Sequence, residues 1–339
     1  MSGPVAADAP WLREAMTGLT AAHSSGRIPH AILIQAAAGT GGDLLATWAA
    51  QLVLCTRGGA CGECASCRRV SSGTHPDLVM VSLAEDSQQI RIDQVRELCA
   101  DLALTSHQGG YKVAIITPAD ALNRSAANAL LKTLEEPAPR TLVLLVAAQP
   151  SRLPATLLSR CLRIRVRRPA RSESLAWLER VRGPGDWNAV LDVIGEAPLS
   201  AAGADPAAMA ALSTEVGRTL DELLAGTADP VATAERWCRA ELAARLDCLE
   251  NWLTERIRRQ LGVAADTAEL RTMAHPPRAD RVFNNGSLFA SLDEARGLKA
   301  ALTGPINRSL ALEGLLRSLA GSGAPRGGRG TEEQGLKHS

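Results

Sequence analysis

The chain is predicted to open with an α/β fold, a P-loop-type parallel sheet with helices on both faces, and to close with an all-helical half. Three observations predict this. Short apolar runs of four to six residues alternate with stretches of helical apolar spacing, as strands buried on both faces alternate with their crossover helices. A glycine-rich turn joins the first of these runs to a helix. After Pro169 no convincing strand pattern remains.

The elements follow in order. Trp11, Leu12, Ala15, Met16 and Leu19 give residues 10–30 a helical period. Ala31 to Gln35 reads as a buried strand, and a helix through Trp48, Leu52 and Leu54 follows the turn. Leu78 to Val81, Lys112 to Ile116 and Leu142 to Val146 are further strands. Helices are expected from Ile90 and through Ala126, Leu130, Leu131 and Leu134, the latter stopping before Pro137. Leu162 to Val166 alternates, which predicts a half-exposed outer strand with Arg163, Arg165 and Arg167 on one face. The expected domains are an α/β unit over 1–168, a small helical lid over 169–205 and a helical collar over 206–320. Gly195, Pro198, Gly203 and Pro206 punctuate the last boundary. The Gly- and Arg-rich tail over 321–339 is expected to be disordered.

Bulk composition excludes several classes. With 37 Lys+Arg against 36 Asp+Glu, the formal net charge of +1 argues against a strongly basic nucleic-acid binder. Aromatics at 3% are too few for a base-stacking platform. No apolar run approaches the roughly 18 residues of a membrane span, and residues 1–5 lack the features of a signal peptide. A cytoplasmic protein is expected, so its eight cysteines read as thiols or metal ligands rather than disulfides.

The turn from Ala36 to Asp43 stands in the context of G-x-x-x-x-G-K-[ST] but has lost its chemistry. Gly39 and Gly41 occupy loop-glycine positions. Gly42 replaces the lysine that would reach the phosphates, and Asp43 replaces the hydroxyl that would bind magnesium. A carboxylate at a helix N-terminus also repels the phosphate that this position otherwise favours. No ATP is expected in this loop.

Cys55, Cys61, Cys64 and Cys67 place four thiols within thirteen residues. Zinc takes four soft ligands in a tetrahedron, and Cys-x2-Cys spacing presents two sulfurs to one ion. Gly58, Gly59 and Gly62 let the backbone turn around it. Four thiolates leave no open position, so the predicted zinc is structural. Coincidental core or surface cysteines are the competing reading. Cys99, Cys161, Cys238 and Cys248 read as small buried apolar residues.

Three further strings carry a resemblance. They are Gly73-Thr74-His75-Pro76-Asp77, Asn128 through Pro137 (NALLKTLEEP) and Leu157-Leu158-Ser159-Arg160-Cys161. Together with the cysteine module they resemble the bacterial DNA polymerase III clamp loader, an AAA+ family, and within it the delta-prime branch rather than gamma/tau. The resemblance spans about residues 10 to 320, most specifically 28 to 168. It implies an AAA+ domain with an inserted zinc module over 55–67, a helical lid and a collar that oligomerises. It further implies a non-ATP-binding subunit without catalysis of its own. Such a subunit assembles with gamma/tau and delta into a five-subunit ring that loads the sliding clamp on primer-template DNA within the DNA-directed DNA polymerase. ATP-binding family members carry an Asp-Glu pair after the strand that here ends Ile115-Ile116-Thr117-Pro118, and this chain has none.

The resemblance also implies that Arg160, in the Ser159-Arg160-Cys161 motif, acts in trans as an arginine finger on a neighbour's ATP. From spacing alone a surface arginine would be the better reading, since Arg163, Arg165, Arg167, Arg168 and Arg171 lie close by. Glu135 and Glu136 read as solvated or paired at a subunit contact, and His75 and His30 as packed turn and strand-start residues. The apolar face Leu242, Leu246, Leu249 and Leu253 is expected partly to serve packing between subunits. Two other functions compete: an active ATP-binding AAA+ subunit and a zinc-dependent DNA-binding module.

Overall fold

The computed structural model describes residues 9–84, 87–261, 285–302 and 306–322. They fall into two compact units, Met1–Asp205 and Pro206–Ser339.

The first unit is built on a five-stranded parallel sheet of order β2-β3-β4-β1-β5. The strands are β1 (Ala31–Gln35), β2 (Leu78–Val81), β3 (Lys112–Ile116), β4 (Thr141–Ala147) and β5 (Leu162–Arg165). β3 and β4 are buried along their whole length, which is why they read as unbroken apolar runs. A 3-10 turn at Pro10–Leu12 leads into α1 (Arg13–Ser24), and α2 (Gly42–Leu54) and α3 (Ala65–Ser71) follow β1. α4 (Ile92–Leu102) precedes β3, and α5 (Arg124–Glu135) precedes β4. α6 (Ala155–Leu158) leads to β5, and α7 (Arg171–Arg182), α8 (Trp187–Ile194) and α9 (Pro198–Ala201) complete the unit.

Alternation along the strands divides the core. Leu33, Ala114, Ile116, Val143 and Leu145 pack against Val95, Leu98, Leu130 and Leu134 of α4 and α5. The intervening residues, including Ile34 and Val146, face the start of α2 on the other side. α5 forms where Asn123 caps it, its Oδ1 accepting from the Ala126 amide at 2.8 Å. Trp11 is buried edge-on against Trp177 of α7, the ring centroids 5.4 Å apart.

β5 lies at the sheet edge as an outer strand should, but Leu162 is 48% exposed rather than facing a core. Arg167 follows this strand. It forms a two-pronged pair with Glu173 at 2.6 and 2.8 Å, which holds the Glu173 carboxyl below its ordinary range.

The string Gly73 to Asp77 has a structural explanation. Asp77 is buried, and its two carboxylate oxygens accept from the amides of His107 and Gln108 at 2.7 and 3.3 Å. The loop before β3 is thus fixed by one side chain. His75 is also buried, with Nδ1 accepting from the Asp77 amide at 3.1 Å. Removing the carboxylate takes the acceptor from the His107 amide and one of two from the Gln108 amide, which also donates to Ser106 Oγ at 3.3 Å, so Asp77→Ala is expected to lower unfolding stability by about 1–3 kcal/mol in chemical denaturation.

The second unit is helical in its described residues: α10 (Pro206–Ala225), α11 (Pro230–Arg239), α12 (Leu242–Gln260), α13 (Asn285–Ala301) and α14 (Arg308–Ser322). Trp237, Leu246, Leu249, Leu253, Leu312 and Leu316 are fully buried in it. This corrects an expectation. Leu246, Leu249 and Leu253 have no exposed area to offer a neighbour, because the unit's own core uses them. Helix α14 runs through Gly321 to Ser322, and the tail expected to be disordered lies beyond that outside the described residues.

Candidate nucleotide-loop, metal and arginine sites

The loop after β1 turns left-handed at Gly39 and Gly41 before α2 begins. Gly41 sits at φ 101°, a conformation reserved for glycine, and its carbonyl accepts from the Leu45 amide to start α2. The loop is packed closely against other parts of the same unit. The Leu199 amide donates to the Gly39 carbonyl at 3.0 Å, bringing α9 onto the loop. A Cβ on Gly39 would lie 2.5 Å from Ser200 Oγ and 2.7 Å from Ala197 Cβ. Trp11 Nε1 donates to the Thr40 carbonyl at 2.7 Å, and Leu12 and Leu199 press on Gly41.

The two replaced positions are also committed. A Cβ at Gly42 would stand 2.7 Å from Val146 Cγ1 and 2.8 Å from Ala36 Cβ, so the path of a lysine stem is filled. Asp43 Oδ1 accepts from Thr117 Oγ1 at 2.6 Å, tying the start of α2 to the end of β3. Asp120, the one acid after β3, accepts from the Gln149 amide at 2.8 Å. Gly42→Lys is therefore expected to cost about 1–3 kcal/mol by overpacking. It should bring no affinity for magnesium-ATP, as thermal unfolding and calorimetry would register.

The four cysteines converge. Cys55 Sγ lies 3.6 Å from Cys61 and 3.9 Å from Cys64, and Cys61 Sγ lies 4.0 Å from Cys67. All four sulfurs fall within 4.8 Å of one another. A Zn–S bond of about 2.3 Å makes the edge of a tetrahedron about 3.8 Å, so the donor set fits a metal such as zinc. The peptide places them by turning left-handed at Gly58, Gly59, Ala60 and Gly62 before α3 begins. The amides of Cys64 and Cys67 donate to the sulfurs of Cys61 and Cys64 at 3.4 and 3.3 Å. That amide hydrogen bond from Cys67 is the main reason the Cys64 thiol is brought down to about 5. Burial drives the Cys67 thiol upward. Behind the ligands, Gln51 Nε2 donates to the Cys67 carbonyl and to Ser71 Oγ, and Ser66 Oγ donates to the Leu54 carbonyl.

Arg160 follows α6 and is half-buried. Its Nη2 lies 2.6 Å from Glu135 Oε1, and its Nη1 donates to the Thr156 carbonyl at 2.7 Å. The flanking motif residues finish the short helix: Ser159 Oγ donates to the Thr156 carbonyl, and Cys161 Sγ to the Leu157 carbonyl. Burial pushes the Cys161 thiol up to about 11. Glu135 is exposed, as the solvated reading expected, and it also pairs within its own chain. His30 likewise has a partner, its Nε2 3.0 Å from the Leu134 carbonyl. Sequence reasoning missed Glu135, Thr117, Trp11 and the α9 segment as parts of these sites.

Comparison with known proteins resolves the affiliation. Residues 11–170 match the family described as DNA polymerase III, delta subunit. Over 324 residues the chain is 31% identical to DNA polymerase III subunit delta' of Escherichia coli, covering 91% of this chain and 93% of that one. The chain belongs to the delta' family of DNA polymerase III. The delta' subunit of Pseudomonas aeruginosa is 38% identical over 239 residues, 68% of this chain and 73% of the relative. DNA polymerase III subunit tau of Escherichia coli is 34% identical over 155 residues, 45% of this chain and 24% of tau. For a delta' family member the AAA+-like sheet, the four-cysteine cluster and the helical C-terminal region agree with the architecture expected from sequence. Among the described residues no helix is long and apolar enough to cross a membrane.

Proposed function

We propose that this chain is the clamp-loader subunit that holds no ATP of its own and lends Arg160 in trans to a neighbour's ATP site. It assembles with gamma/tau and delta in the cytoplasm, and the assembly loads the sliding clamp at primer-template junctions. By itself the chain catalyses nothing; DNA-directed polymerisation belongs to the assembled holoenzyme. Residues 1–168 form the AAA+ domain, 169–205 the lid and 206–320 the collar through which the ring is held. Zinc in the Cys55, Cys61, Cys64 and Cys67 cluster is structural, since four thiolates leave it no site for water or substrate.

One observation carries the reading. Each position that would handle a triphosphate is engaged in the chain's own packing: Gly39 by α9, Gly42 by Val146 and Ala36, and Asp43 by Thr117. A guanidinium beyond α6 then has no phosphate of its own to serve. Its planar, permanent charge suits the developing charge of a transferring phosphoryl group. Two measurements test this. Calorimetry with magnesium-ATP should register no binding to the isolated chain, and mixing it with tau and delta should yield a complex that turns over ATP. Triphosphate binding or turnover by the chain alone would refute the proposal.

A further inference from the structure

We propose that Glu135 is the positioning residue for Arg160, fixing the guanidinium in the orientation in which it meets a neighbour's phosphate. This rests on the trans-acting role of Arg160 proposed above. The geometry points to a two-sided clamp. Glu135 Oε1 holds Nη2 at 2.6 Å, while the Thr156 carbonyl holds Nη1 from the other side at 2.7 Å. Arginine carries five N–H donors in a rigid fork, so two anchors fix its plane and leave the Nε–H and the second hydrogen of each Nη for phosphate oxygens. Ser159 Oγ, 3.4 Å from Nη1, adds little.

The anchors are themselves held. Glu135 ends α5 directly after Leu134, which is 2% exposed, and Arg160 stands between Leu157 at 0% and the partly buried Cys161, in the same apolar cluster. The two backbones cannot drift apart without opening that core. The carboxylate is 49% exposed and the arginine 34%, so water screens their mutual attraction. What Glu135 supplies is therefore orientation more than charge. A long side chain with four rotatable bonds is converted into one conformer before the neighbour arrives, and misplacement by about 1 Å is enough to cost on the order of 100-fold in rate.

The test uses the full chain reconstituted with tau and delta, comparing wild type, Arg160→Ala, Glu135→Ala, Glu135→Gln and the Arg160→Ala/Glu135→Ala double variant. Gel filtration first checks that each assembles, and DNA-stimulated ATP hydrolysis is then followed against ATP concentration. Glu135→Ala is expected to lower kcat about 10-fold or more at the site served, with KM for ATP unchanged. Glu135→Gln, which keeps an acceptor oxygen and loses the charge, should retain most of the rate. The double variant should be no slower than Arg160→Ala. If Glu135→Ala matches wild type while Arg160→Ala is slow, the positioning role is wrong and the finger stands. Faster hydrolysis by both Glu135 variants would make the carboxylate a restraint and also overturn the inference. Unchanged hydrolysis by Arg160→Ala would remove the finger itself, and the positioning role with it.

Discussion

Arg160→Ala is expected to leave the loader assembled and to slow ATP hydrolysis at the one neighbouring site this chain serves by about 10³–10⁵-fold. Arg160 lies outside both hydrophobic cores, and its loss frees Glu135, an exposed carboxylate that water can solvate, so folding should be little affected. Hydrolysis by the whole complex should then fall to what its other sites deliver, which makes single-turnover kinetics the more revealing measurement. Arg160→Lys should behave almost like the alanine variant. Lysine keeps the charge but cannot span Glu135 and Thr156 with one planar fork. A complex whose turnover is untouched by either change would end the trans role.

Loss of the metal is expected to have the second large effect, this time on stability. Zinc-finger peptides bind structural zinc with apparent free energies of about 10–16 kcal/mol, which bounds what the cluster contributes. Here α3 also packs on α2 through Gln51 and Ser66, so residues 55–72 should lose order without unfolding the sheet. A loss of about 3 kcal/mol, far below that bound, lowers Tm by about 6–12 °C for a unit of this size. Cys64→Ala is the sharpest variant, because Cys64 both belongs to the tetrad and caps α3 by accepting from the Cys67 amide, and alanine can do neither. Native mass spectrometry should find one zinc in wild type and none in the variant, and strong chelators should reproduce the Tm shift. A metal-free wild-type protein with the same Tm would exclude a structural zinc.

What could be read in advance was what is local. β3 and β4 announce themselves because strands covered on both faces must be apolar throughout, and the cysteine tetrad because its four ligands fall within thirteen residues. The lost lysine and hydroxyl were equally visible, being defined by position in a short loop. What fills the loop was not. Leu199 reaches Gly39 across 160 residues of chain, and Thr117 reaches Asp43 across 74, distances over which no periodicity carries information. The pairing of Glu135 with Arg160 was hidden for the same reason, since charge signs do not say which carboxylate a distant arginine will find. Leu246, Leu249 and Leu253 were misassigned in part because an apolar helix face looks the same whether it meets its own chain or another.

The crowding at Gly42 also speaks to history. A descendant of this chain regaining lysine there would still meet Val146 on one side and Ala36 on the other. Ala36→Gly alone would restore flexibility without charge, and a hydroxyl in place of Asp43 would exchange the carboxylate that holds Thr117 for a shorter, neutral acceptor. On the proposed reading, restoring one position at a time meets the packing held by the others, so single substitutions in this loop are expected to lower stability before any nucleotide affinity is regained.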